Sequence, residues 1–380
     1  MTRFAVKSFS LAMYLLAVCA VVMMVGCGGN SIAGTTPTPT PTPTPATSKP
    51  VLVGLVAMGP GLTQTAPTNT FAELNAHPGV YSAAVINLTW AQLEPTQGTF
   101  DDTALTTALA NLATYNAQNP TTPVVGKLRI FMGLGTPAWV IAATGGVTIT
   151  DSFGSGTAGE FWTPQYDALW VALQNHLASE FDTNAMVGEV AITSCSSLTG
   201  EPFIVPQDAA SVTNLHAAGY TDALQQACLS NAANDYAAWK NTPLDYTINQ
   251  LTLTDVGHTG IDTAFPVQVM TAFRTALGTR GVVANHGFQP TLATNAVPVY
   301  TEFQTLYSAA VAANTVSPLE FQSDGPTVDW TQTIPDALTY HPTEFEMWDT
   351  TAVTGGQAPL TQSQLASFAA QIKAQYPTTP

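Results

Sequence analysis

Few side chains in this sequence can do acid–base or nucleophilic work, because only 9% of its residues are charged. Glu201 is the only acidic residue in the turn-rich stretch Ser194-Cys195-Ser196-Ser197-Leu198-Thr199-Gly200-Glu201-Pro202. Glu320 is the sole glutamate of Pro318-Leu319-Glu320-Phe321-Gln322. Glu344, Glu346 and Trp348 alternate, so in an extended chain they share one face. Two carboxyl groups brought to opposite sides of one bond can act as general acid and as base or nucleophile. His286, in Asn285-His286-Gly287, is a further candidate for such a site. There is no GxSxG elbow, HExxH helix or phosphate-binding glycine loop, so serine-hydrolase, zincin and nucleotidase chemistry have no support. The cysteines form no CxxC and no histidine stands at ligand spacing, so neither a metal nor another cofactor is expected.

Each candidate also has a structural reading. Glu201 can be an exposed loop carboxylate. Glu320 can be a buried partner of Lys127 or Arg129, because a carboxylate in a core needs a countercharge. Glu346 is then the substitute nucleophile, and His286 a satisfied core histidine. Trp90, Trp139 and Trp348 each end or closely follow an apolar run. There they serve either as aromatic platforms or as packing lids.

The elements that must position these groups alternate between two kinds. Short apolar or β-branched runs at 51–58, 83–90, 124–134, 187–194, 245–253, 281–286, 319–323 and 344–348 predict eight buried parallel strands. Helical spacing falls between them, at 101–116, 164–181, 221–239, 266–277, 298–313 and 360–376, with shorter segments at 70–76 and 330–339. Thr163 before Pro164 marks one helix start. Eight strands alternating with helices over 50–380 predict an α/β fold, a (β/α)8 TIM barrel, with its site at the C-terminal strand ends. A doubly wound sheet is the alternative. It usually shows a glycine-rich turn opening a helix, and Met58-Gly59-Pro60-Gly61 is not followed by one.

Two passages then stand where that count puts the catalytic face. Trp90-Ala91-Gln92-Leu93-Glu94-Pro95-Thr96-Gln97-Gly98-Thr99-Phe100-Asp101 and Gly133-Leu134-Gly135-Thr136-Pro137-Ala138-Trp139 resemble stretches of the retaining glycoside hydrolases of clan A. The resemblance implies a carbohydrate substrate, an acid/base glutamate after strand four and a nucleophile on strand seven. Glu201 and Glu320 hold those places, and Glu201-Pro202 is similar to the family's Asn-Glu-Pro. It also implies that Trp90, Trp139 and Trp348 face the sugar; His286, at the end of strand six, stands at the same face by its position, and Glu94 and Asp101 read as rim and helix-start residues. Gly200 stands where the family carries asparagine, and Glu201 lies past the strand end. That departure keeps open a catalytically inactive glycan-binding barrel, and a scaffold without ligand stands further off. A retaining enzyme needs its two carboxyl groups about 5–5.5 Å apart.

The N-terminal segment speaks to compartment. Arg3 and Lys7 precede an uncharged run at 11–25, shorter than the roughly 20 residues of a membrane span, as in a secretory signal. It ends Met24-Val25-Gly26-Cys27, which resembles a bacterial lipobox and implies lipidation of Cys27. The expected divisions are a signal over 1–27, a Thr/Pro-rich linker over 28–49 favouring polyproline II, and the barrel over 50–380. In an oxidising compartment Cys195 and Cys228 are expected to form a disulfide. With 9 Lys and Arg against 25 Asp and Glu, net −16, the chain repels nucleic acid and anionic lipid. The expected protein is a monomer of the cell envelope, membrane-attached through its lipid alone.

Overall fold

The computed structural model describes residues 48–58, 68–151, 154–255, 260–292, 294–323, 325, 329–348 and 360–376. Cys27 and the Thr-Pro run lie outside the described residues. Eight strands build the barrel: β1 (Gly54–Ala57), β2 (Tyr81–Thr89), β3 (Val125–Phe131), β4 (Val187–Ala191), β5 (Leu244–Thr247), β6 (Gly281–Phe288), β7 (Leu319–Ser323) and β8 (Glu344–Met347). Each pairs in parallel with its sequence neighbours, and β1 pairs with both β2 and β8, so the sheet closes. Closure leaves no edge strand and rules out the doubly wound alternative. The fold is a (β/α)8 barrel.

Helices wrap the outside. Pro164–Phe181 begins with Thr163 at the N-cap and proline in its first turn. Gln362–Gln375 carries a capping box between Thr361 and Gln364. Between helices and strands lies one apolar core, including Leu55, Leu112, Trp170, Phe303 and Ile372. The barrel interior divides differently. Leu52, Val56, Met58, Ala83 and Val85 make a small apolar cluster on the β1–β2 side. Across from it, β3 through β8 place polar side chains in the lumen.

Two expected elements come out divided. The run 245–253 contributes only Leu244–Thr247 to the barrel; Leu251–Leu253 instead pairs antiparallel with Gly260–Asp262. The helix expected at 221–239 is Asp222–Asn231 followed by a 3-10 turn, Ala232–Tyr236. An antiparallel hairpin of Gly146–Asp151 and Gly154–Gly159 follows β3 and was not expected, since its glycine- and threonine-rich strands carry little apolar pattern.

Candidate active site

The barrel lumen is built from strand alternation. Lys127 and Arg129 on β3 point inward two residues apart, as do Glu344 and Glu346 on β8. Register then brings partners level: Lys127 lies opposite Glu189 on β4, and Glu320 on β7 opposite Glu344. Lys127 Nζ is the centre of this layer. It sits 2.9 Å from Glu189, 3.0 Å from Asp245, 2.5 Å from Glu320 and 3.0 Å from Glu346, all without solvent exposure. Arg129 adds a 2.6 Å contact to Glu346.

Charge balance decides the protonation of this cluster. Burial alone would strip Lys127 of its proton, but the four carboxylates hold its pKa well above the ordinary value. Glu346, between Lys127 and Arg129, is pulled well below the carboxylate range despite its burial. At Glu344 burial and the neighbouring Glu189 outweigh the charge of Lys127 and push the carboxyl group well above its usual range. Burial likewise raises Glu189 and Asp245, each to about 7. Asp245, His286, Glu320 and Glu346 bring ligand atoms within 4.8 Å of one another, a spacing a metal ion can use. Lys127 Nζ lies among three of them, so an ammonium already supplies the positive charge there.

Above this layer His286 joins the two glutamates singled out in the sequence. Its Nδ1 lies 3.4 Å from Glu201 Oε1, and its Nε2 lies 3.4 Å from Glu320 Oε1. Thr247 Oγ1 is 3.1 Å from Nε2. Burial favours the neutral ring, yet the hydrogen bonds and charges of Glu201 and Glu320 outweigh it and raise the pKa to about 10. The ring is therefore an imidazolium at neutral pH. Glu201 faces outward with its side chain 17% exposed, whereas Glu320 has no exposure. The carboxyl groups are thus one imidazole apart, one at the mouth and one beneath it.

The loop carrying Glu201 is tightly held. Cys195, with φ of 71°, is disulfide-bonded to Cys228 in the helix Asp222–Asn231. From that same helix Gln225 Nε2 donates to the carbonyls of Cys195 and Pro202. Gly133 lets the loop after β3 approach it: a Cβ there would lie 2.3 Å from the Ser197 carbonyl oxygen. At Gly200 a Cβ would meet Arg129 Cδ at 2.9 Å. The backbone crosses the guanidinium stem too closely for the asparagine of the clan A pattern. Asn249, just past β5, supplies an amide from another direction. Its Nδ2 donates to Glu201 Oε2 at 2.8 Å, and its Oδ1 accepts from Asn285 Nδ2 at 2.9 Å. Nothing in the sequence singles Asn249 out, since a neutral amide in a loop carries no periodic or motif signal.

The tryptophans occupy different settings. Trp90 is fully buried, donates from Nε1 to Glu94 Oε2, and packs edge-on against Trp139, Tyr166 and Trp170. Trp139 is half-buried and ties to the Glu94 carbonyl. Trp348, also half-buried, follows β8 and donates to the Ser323 carbonyl at the end of β7. Of the three, Trp139 and Trp348 keep exposed surface, while Trp90 is part of the packing against Trp139. Asp101 Oδ1 accepts from the Thr103 amide at the start of the following helix.

No family model and no curated protein sequence matches the chain. Among solved structures, it is similar to the catalytic domain of a β-amylase from Paenibacillus polymyxa. The two are 11% identical, with 84% of this chain and 100% of that one covered and a TM-score of 0.53. An endo-glycoceramidase II from Rhodococcus sp. is 13% identical, covering 85% of this chain and 81% of its own, with a TM-score of 0.48. A β-galactosidase from Bacillus circulans sp. alkalophilus is 11% identical, covering 85% and 56%, with a TM-score of 0.49. At these identities the likeness is one of fold, and it rests on the amylase domain.

Proposed function

We propose that this chain is a retaining glycoside hydrolase, with Glu201 as acid/base and Glu320 as nucleophile. One observation carries the reading: two glutamates 119 positions apart in sequence converge on opposite nitrogens of His286, Glu201 at the mouth of the barrel and Glu320 beneath the ring as the second residue of β7. In the first step Glu320 Oε1 attacks the anomeric carbon, the glycosidic C–O bond breaks, and the departing oxygen takes a proton from Glu201. In the second, water attacks the same carbon, Glu201 takes its proton, and the Glu320 ester bond breaks. The imidazolium at Glu201 Oε1 supplies the proton that Glu201 hands to the departing oxygen, and the proton taken from water in the second step returns to the ring through the same carboxyl group. Asn249 orients that carboxyl group by holding its other oxygen.

A second reading has its own observation. Glu320 is fully enclosed beneath His286 and held by Lys127, which suits a structural carboxylate and a barrel that binds glycans without cleaving them. The deciding experiment exposes the purified protein to aryl glycosides and polysaccharides, measuring release and binding separately. Release by the wild type and its loss in Glu320→Gln support the enzyme. Glycan binding with no release by the wild type assigns the second reading.

The same reading places the protein outside the cytoplasm, attached through a lipid on Cys27. The lipobox-like sequence and the disulfide between Cys195 and Cys228 support it. Cys27→Ala is expected to move the protein from the membrane fraction to the soluble fraction. Retention of that variant on membranes would remove the anchor.

A further inference from the structure

Asn285 is a polar side chain in an apolar layer. It precedes His286 on β6, so its amide points out of the lumen toward the helix Val297–Ala312. There Phe288, Phe303, Phe321 and Tyr340 pack around the ring of Tyr300. Asn285 is 5% exposed, and a buried amide costs free energy unless its polar atoms are paired. All four of its hydrogen-bonding capacities are filled. Oδ1 accepts from the Tyr300 hydroxyl at 2.6 Å and from the Gly287 backbone N–H at 3.1 Å. Nδ2 donates to the Ile248 carbonyl at 3.0 Å and to Asn249 Oδ1 at 2.9 Å.

These partners set a direction. A backbone N–H only donates and a backbone carbonyl only accepts, so Gly287 and Ile248 fix which end of the Asn285 amide is which. The Asn249 atom facing Asn285 Nδ2 is then its oxygen, and the His286 backbone N–H, 3.3 Å away, requires the same. That leaves Asn249 Nδ2 for Glu201 Oε2, at 2.8 Å. A reversed amide would set oxygen against carboxylate oxygen. We propose that Asn285, anchored by Tyr300, is a positioning residue for Glu201. It locks the Asn249 amide with its N–H toward Oε2, so that Oε1 is the oxygen facing His286. The lock follows from the hydrogen bonds; its effect on turnover rests on Glu201 being the acid/base group.

Asn285→Leu keeps the shape of the side chain and removes all four bonds, whereas Tyr300→Phe removes one and leaves the aromatic packing. Both are compared by kcat/KM, which reports the steps through formation of the glycosyl-enzyme, on glycosides of a sugar that the wild type cleaves. An alkyl leaving group needs the proton from Glu201 and a dinitrophenyl group does not, so a misplaced acid slows only the first. Asn285→Leu is expected to lose about tenfold on alkyl glycosides and less than about twofold on dinitrophenyl glycosides. Tyr300→Phe, which serves if Asn285→Leu does not fold, is expected to lose about threefold with the same split. On an Asn249→Ala background neither change is expected to cost more, because the path runs through that amide. Equal losses on both substrates, losses that add to that of Asn249→Ala, or no loss in either variant would overturn the proposal.

A readout without turnover separates the lock from the catalytic reading. In the full chain carrying isotope-labelled asparagine, the Asn249 side-chain amide signals are identified by their loss in Asn249→Ala. The proton bonded to Glu201 is expected downfield, and to move upfield in Glu201→Ala, Asn285→Leu and Tyr300→Phe alike. That pattern with no glycoside cleaved by the wild type would sink the catalytic reading and keep the lock. A signal that moves in Glu201→Ala but in neither of the other variants would sink the lock, whatever the wild type cleaves.

Discussion

His286 is the residue on which the site's electrostatics turn. Its two ring nitrogens face two carboxyl groups, and the proton it holds lets Glu201 and Glu320 approach one another without a direct clash of charge. This has a consequence for stability. The folded pKa, about 10, exceeds the ordinary value of 6.5, so folding favours the protonated ring. The stability it contributes is fully present below about pH 6.5 and is lost as pH rises toward about 10. Urea midpoints of the wild type are therefore expected to fall across that window. The same series on His286→Gln is expected to lack that part of the decline. An identical alkaline slope in the variant would show that the imidazolium is not formed. His286 was legible as a mouth residue because it stands near the end of a clearly apolar strand, but its two partners were not. Contacts across 85 and 34 residues depend on how the sheet closes.

At the scale of elements, β3 governs the interior. Lys127 and Arg129 are two of the nine basic residues in the chain, and both point into a lumen lined by carboxyl groups. Removing one partner of a buried ionic cluster leaves uncompensated charge, typically at a cost of about 3–5 kcal/mol. Lys127→Met, which keeps much of the side-chain volume, is expected to lower the unfolding free energy at neutral pH by about that amount. Adding Asp245→Asn is expected to recover part of the loss, because one fewer carboxyl group then needs a cation. Denaturant curves for both variants check this, and a Lys127→Met protein as stable as the wild type would contradict it. The sequence showed these charges on strands through their alternation, and the barrel through its eight apolar runs. It misled where alternation crossed a turn. Asp245-Tyr246-Thr247-Ile248-Asn249-Gln250-Leu251 contains neither glycine nor proline, so 245–253 looked like one strand. The break near Asn249 is what frees that amide to reach Glu201.

For the molecule as a whole, barrel closure brings Glu201 and Glu320 to one imidazole, and the disulfide with Gln225 fixes the loop that carries Glu201. The fold was readable because each strand advertises itself locally. The site was readable only as candidate residues at strand ends, since side-chain depth depends on register and tilt that no local pattern reports. Glu320 illustrates the difference: its strand was evident and its burial beside Lys127 was one of two open readings, yet its place under His286 was not legible. The central claim is that Glu201 serves as acid/base in a two-step hydrolysis, and azide rescue of Glu201→Ala tests it most directly. On an activated aryl glycoside that the wild type cleaves, the variant should still form the glycosyl-enzyme, because a good leaving group needs no proton, and then stall. Added azide is expected to restore turnover and yield a glycosyl azide of retained anomeric configuration. A variant that hydrolyses poor and good leaving groups as the wild type does, or that azide fails to accelerate, would contradict the assignment of Glu201.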